Sequence, residues 1–272
     1  MENKFLDSHN HLYYENRWLS FSDIELVPQF TQITNTADIN TSSYFKNQGY
    51  RYPYYKICND HNEYLENVKK GYMSFLSPYG YSGQSNFIDS LVKIKKDTKT
   101  CNFIIGLNKN DANVIDHISN LIEKDSINPT VFISSDDFGD SDEMISQIRH
   151  LRLKYKQNID IIAGYISAPF TVMKAIDLGV DGIVFSNDHT KCDLTGQLKI
   201  FNSIYSKQAN TKLFVSYLDQ YKDIDILAAG ADFISQESVY DSNIERLKAD
   251  MKKYNCKTVG EIYNKTKFRV IK

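Results

Sequence analysis

From about residue 50 onward the chain alternates short β-rich runs with segments of helical period, and this alternation constrains the fold more than any other feature. The runs are 52–57, 71–76, 102–107, 130–135, 159–164, 182–185, 212–217 and 231–235. Several are nearly continuous apolar stretches, as strands covered on both faces require. In 141–156, Met144, Ile145, Ile148, Leu151 and Tyr155 recur at three- and four-residue steps. Asp140 and Glu143 stand at capping-box spacing, with Asp in place of Ser or Thr. Segments 168–178 and 194–205 read as helices too, and Gly179 and Gly230 stop their helices where a left-handed residue is needed. Eight such units with no Pro/Gly/Ser linker predict one α/β domain, a (β/α)8 TIM barrel. The barrel takes residues 51–255, after an N-terminal extension, 1–50, with room for a hairpin, and before a C-terminal tail, 256–272.

Composition narrows the function classes. Of 272 residues 42 % are hydrophobic, enough to bury a full core, which excludes wholesale disorder. Lys plus Arg is 32 against 34 for Asp plus Glu, a formal net charge of −2, so nothing favours nucleic acid or an anionic membrane as partner. No apolar run approaches the roughly 18–20 residues of a membrane span. The N-terminus lacks the basic-then-apolar order of a secretory signal, and a cytoplasmic location is expected. Four cysteines, Cys58, Cys101, Cys192 and Cys256, lie far apart with no CxxC pair, so reduced thiols are expected rather than a disulfide framework or structural zinc.

A barrel of this kind carries its chemistry where the strand C-termini meet the following loops. Those segments are 57–61, 77–83, 107–110, 134–139, 164–168, 186–196, 217–223 and 235–241.

Three passages resemble the IMP dehydrogenase/GMP reductase family. The segment from Trp18 to Pro28 is similar to the family's opening "hydrophobic-x-Phe-x-Asp-Val-x-Leu-x-Pro" string. In the middle, Asp160-Ile-Ile-Ala-Gly164 leads into a helix, then Leu178-Gly-Val-Asp-Gly-Ile-Val184, then a loop carrying Cys192. Near the end, Ala229-Gly-Ala-Asp-Phe-Ile234 and the tail from Thr258 to Val270 resemble the last strand and C-terminus of GMP reductases. No inserted pair of CBS domains is present, which suits the reductase-like branch. The resemblance implies an oxidoreductase acting on a purine nucleotide or a related phosphorylated small molecule. A cysteine thiolate adds to C2 of the purine, linked to hydride transfer with NADPH. It implies Cys192 as nucleophile, Thr195 as the polar group near the reacting base, and Thr190 as a phosphate contact. Gly164, Tyr217 and Ser235 fall at further substrate-binding positions, and Ser134 and Asp136 at cofactor-binding ones. It also implies a homo-oligomer.

The chain departs from that pattern where the phosphate is held. The family's Gly-Pro-Gly before the cysteine reads Asn187-Asp188-His189, so curling carbonyls around a monovalent cation is costly here. The Asp-Gly-Gly after strand seven appears as Tyr217-Leu218-Asp219, and the glycine turn after strand eight as Ser235-Gln236-Glu237. The reductase's long flap is missing. Each lost charge-assisted hydrogen bond to phosphate is worth about 1.5–3 kcal/mol. The expectation is therefore a shortened family barrel with an altered site, with a catalytically degenerate nucleotide- or protein-binding module as the alternative.

Other constellations have plainer readings beside them. Leu6-Asp-Ser-His9-Asn-His11 resembles the opening of TatD-like metal hydrolases, in which alternate strand residues hold a metal, and a metal-dependent hydrolase using His9 and His11 is a weaker alternative to the plainer reading as a polar tail. No metal is assigned. Cys192 sits between Lys191 and Asp193, which push a thiol pKa in opposite directions, and it also reads as a packed hydrophobe. The aspartates of 134–142 lack the register of a calcium loop and suit helix capping. The tyrosines of 50–55 and 79–83 could stack on a base, or pack around the barrel loops.

Overall fold

Every run of the alternating pattern contains a strand, beginning at or just after the expected position. The structure is a computed structural model and describes residues 13–14, 17–18, 24–26, 30–77, 89–94, 104–107, 129–134, 141–166, 169–186, 210–216, 222–235, 241–263 and 266–268. First in the chain come β1 (Tyr13–Tyr14), β2 (Arg17–Trp18), β3 (Ile24–Leu26), β4 (Ser43–Phe45) and β5 (Gln48–Tyr50). Then follow β6 (Tyr54–Cys58), β7 (Met73–Leu76), β8 (Ile104–Leu107), β9 (Thr130–Ser134), β10 (Asp160–Gly164), β11 (Gly182–Ser186), β12 (Lys212–Ser216) and β13 (Phe233–Ser235). These last strands are parallel and close into a barrel in the order β10-β11-β12-β13-β6-β7-β8-β9, with β9 pairing back onto β10. Strand β14 (Thr266–Phe268) returns to pair antiparallel with β3, so the two ends of the chain meet.

Helices α1 (His61–Lys70), α2 (Ser141–Tyr155), α3 (Pro169–Asp177), α4 (Asp223–Ala228), α5 (Asp241–Lys253) and α6 (Val259–Tyr263) accompany the strands, and residues 89–94 are also helical. The stripe Met144, Ile145, Ile148, Leu151 and Tyr155 of α2 is buried throughout, as its spacing requires. Helices α3 and α4 end as expected: Gly179 has φ 79° and Gly230 φ 110°. The next N–H groups reach back across the turn, Val180 N–H to Ala175 O and Ala231 N–H to Ile226 O, both at 3.3 Å. The helix expected over 194–205 lies outside the described residues, as does Asp140.

Strand alternation splits the core in two. Val131, Ile133, Ile161, Ala163, Ile183, Leu213, Val215 and Ile234 face outward, toward the helices. Tyr55, Met73, Phe75, Phe132, Ile162, Val184, Phe214 and Phe233 fill the barrel. The filling is largely aromatic: Phe214 stacks on Phe233 and Tyr55 on Phe75, both at 5.0 Å between centroids. Glycines opposite the rings make this possible. A Cβ on Gly164 would lie 2.4 Å from the Phe132 ring, and one on Gly182 2.7 Å from Phe214. Each buried ring contributes about 1.5–3 kcal/mol, an upper bound set by the extended-chain reference.

The β4–β5 hairpin stoppers the N-terminal end. Phe45 inserts edge-on to Phe214 at 5.8 Å, and Tyr50 meets Phe233 at 5.8 Å. Ser43 Oγ donates to the Asp232 carbonyl at 3.1 Å. At the turn, Lys46 pairs with Asp181, and its Nζ lies 3.7 Å from Asp160. Arg152 binds Asp181 Oδ2 at 2.6 Å from the other side. Two aspartates here do the same job: Asp181 Oδ2 accepts from Ile161 N–H at 2.8 Å, and Asp232 Oδ2 from Leu213 N–H at 2.9 Å. Each accepts from the amide of the second residue of the preceding strand, and Asp232 also holds Lys212 at 2.7 Å. Among the described residues no helix is long and apolar enough to cross a membrane.

Candidate functional site at the C-terminal end of the barrel

A short string repeats where the strands end. Phe75-Leu76-Ser77, Phe132-Ile133-Ser134, Phe214-Val215-Ser216 and Phe233-Ile234-Ser235 each put a phenylalanine in the barrel and a serine one layer nearer the C-terminal end. The period of two turns each serine to the face of its phenylalanine. Aromatic rings thus form a floor beneath a rim of hydroxyls. No charged side chain stands on the inner face of these strand ends among the described residues.

The rim is tied together by Tyr55. Its Cα partner across the β6–β13 ladder is Ser235, and its hydroxyl is hydrogen-bonded by the Ser235 and Ser216 side chains. Burial pushes this phenol well above its ordinary range, the nearby Tyr165 adds to the shift, and the two serines oppose it. Tyr55 is therefore a neutral phenol at physiological pH. Ser216 and Ser235 are half-exposed, while Tyr55 is 1 % exposed.

Tyr165 breaks the alternation. Following inward Gly164, it would ordinarily face outward, but its φ of 58° lies in the left-handed region. For a side chain of this size that conformation costs about 1–2 kcal/mol. Its N–H donates to Val184 O at 2.8 Å, and its ring sits edge-on to Phe132 at 5.7 Å. The strained residue thus turns a half-exposed ring back over the barrel filling.

Of the site residues expected from sequence, Gly164, Ser134 and Ser235 lie in this rim. The space above Gly164 is taken by the Phe132 ring, so packing alone explains a glycine there. Ser134 pairs in register with Gly164 and is 1 % exposed. Cys192, Thr190, Thr195, Tyr217 and Asp136 lie outside the described residues, as do His9 and His11. The chain does leave β11 at Ser186, the register partner of Ser216, on its way to Cys192, and Tyr217 directly follows Ser216. The sequence points to Tyr55 only among the tyrosines of 50–55 that could stack on a base and to Tyr165 only within the segment 164–168, and it does not point to Ser216; the recurring Phe-x-Ser string is the signal that could have found the rim.

Other groups do not converge. Burial pushes the Cys58 thiol up to about 11, although Asn67 Nδ2 donates to it at 3.4 Å, and Cys256 is also buried. His61 meets Lys93 Nζ at 3.0 Å on the surface. No group of three His, Cys, Asp or Glu side chains is arranged to hold a metal among the described residues. A cleft of about 280 Å³ lies at the stoppered end, against Tyr44, Lys212 and Asp232, and one of about 260 Å³ lies beside α1. The chain matches no protein-family model and no curated protein.

Proposed function

We propose that this protein binds a purine nucleotide at the C-terminal end of its barrel, as a shortened and divergent relative of the IMP dehydrogenase/GMP reductase family. The observation that carries the reading is the inequality of the two ends. One is closed by Phe45 and an ion-paired lysine, while the other presents hydroxyls from several strands around one ring-lined floor. Convergence of strand-end side chains on one mouth is how such barrels build ligand sites. In the finer reading a helix follows each strand, giving a (β/α)8 barrel with residues 1–50 as an extension. The protein is then a cytoplasmic homo-oligomer.

Cys192 is the nucleophile of this reading, its thiolate bonding to C2 of the purine, with Thr195 beside the base and Thr190 on the phosphate. The strand that leads to it lies between β10 and β12, next to Tyr165 and Ser216. A nicotinamide cofactor is a poorer fit. Ser134, the only described residue at a cofactor position, is buried inside the barrel, out of reach of a nicotinamide ring. That burial, with Asn187-Asp188-His189 in place of glycines, favours a second reading: a module that binds the nucleotide without turning it over.

Calorimetric titration with GMP tests binding, and saturable one-site binding is expected. Absence of binding by GMP and IMP ends both readings. Following reduced-cofactor absorbance with GMP and NADPH separates them. Turnover abolished by Cys192→Ala supports the oxidoreductase, and binding without turnover supports the module.

A further inference from the structure

The rim contains more construction than barrel closure needs. A tyrosine with φ 58° could be replaced by glycine at no backbone strain, and the fold places Tyr165 there with its ring half-exposed. Beside it, two half-exposed serine hydroxyls from adjacent strands β12 and β13 are held by one buried phenol. The phenol is itself fixed by rings on two sides, stacked on Phe75 at 5.0 Å and edge-on to Phe214 at 5.6 Å. An aromatic face, a pair of oriented hydroxyls and, among the described residues, no charge on the inner face of these strand ends suit a flat, neutral, hydrogen-bonding ring. They offer a phosphate hydroxyl donors but no compensating charge.

We propose that Tyr165 and the Ser216–Ser235 pair form a recess for the uncharged base of the ligand, Tyr165 against its face and the serines at its polar edge, with Tyr55 as the positioning residue. This rests on the reading of the C-terminal end as a nucleotide site and adds which part of the nucleotide the barrel itself recognises.

The test uses the full chain and calorimetric titration with GMP, guanosine and purine riboside, which lacks the polar substituents of guanine. Tyr165→Gly is expected to weaken all three by about tenfold or more, the size of a lost base–aromatic stack. Its melting temperature should hold, because glycine relieves the left-handed backbone. Tyr55→Phe keeps the ring stack and removes the hydroxyl. It is expected to weaken GMP and guanosine equally, by about fivefold, and to leave purine riboside unchanged, a split that loss of structure alone does not produce. Variants that bind GMP and guanosine as wild type does overturn the inference while nucleotide binding stands. So does a loss seen with GMP alone, or a wild type that binds GMP but not guanosine, since either puts recognition on the phosphate. A wild type that binds none of the ligands removes both the inference and the reading beneath it.

Discussion

The two ends of this barrel use polar groups in opposite ways. At the N-terminal end, Asp181, Arg152 and Lys46 are charged, and the first two are 7 % and 10 % exposed in their side chains. Every polar contact described there closes the fold, tying a hairpin to strand starts. At the C-terminal end the described polar groups on the inner face are neutral hydroxyls; Ser77 and Ser134 are buried, while Ser216 and Ser235 are partly exposed and held by a phenol rather than by ions. Buried ions must be matched to each other, which makes an end rigid and useless for a ligand; oriented hydroxyls keep hydrogen-bonding capacity in reserve. The difference teaches where to look for stability and where for function.

Substitutions can break that contrast. The largest effect is expected from Asp181→Ala, which removes the carboxylate that the buried Arg152 shares with Lys46 and frees the Ile161 amide, leaving Arg152 only backbone carbonyls. Breaking such a buried pair costs about 3–5 kcal/mol, read from urea denaturation. A loss under about 1 kcal/mol would mean that the stopper is held by Phe45 and its neighbours, not by charge. Next is Gly164→Ala, whose methyl collides with the Phe132 ring. Overpacking of this kind costs about 1–3 kcal/mol, and adding Phe132→Leu should recover part of it in a double-mutant cycle.

Ser235→Ala sharpens the comparison from the other end. It should cost about 1 kcal/mol or less in stability while weakening GMP binding, and a variant that loses stability but not affinity would make the rim structural. The smallest effect concerns Asp160, whose carboxyl is raised above its ordinary 3.8 by burial first and by the Asp181 charge second, against the pull of Lys46. A carboxyl raised in the fold binds its proton more tightly there than in the unfolded chain. Its contribution to stability is thus full in acid and is lost as pH climbs through the raised value. Asp160→Asn should therefore gain stability relative to the wild type as pH rises from about 3 to about 7, measured as the difference between their urea midpoints. A difference that does not change with pH would show that Asp160 titrates as it does in the unfolded chain.

The passages that resemble a known family belong mostly to the closed end. In Leu178-Gly-Val-Asp-Gly-Ile-Val184 and Ala229-Gly-Ala-Asp-Phe-Ile234, the first glycines end helices and the aspartates cap neighbouring strands. Such strings report architecture, because helix ends and strand starts need those residues wherever strand follows helix. They were legible in the sequence for that reason, and they carry little chemistry. The rim was harder to read. Ser77, Ser134, Ser216 and Ser235 are far apart in the chain, and each looks like an ordinary strand end.

Periodicity along the chain was enough to name the strands, the buried stripe of α2 and the two glycine helix ends, since each follows from a few adjacent residues. Ring closure supplied the rest: it set Tyr55 beside Ser235, brought four phenylalanines into one floor and sealed one end with a hairpin from residues 43–50. The reason is physical. A two-residue period says which side chains share a face, but the partner they meet depends on how distant strands register around a closed cylinder. Tyr165 shows the limit most sharply, because a single left-handed residue reversed the face that its position in the strand would have assigned.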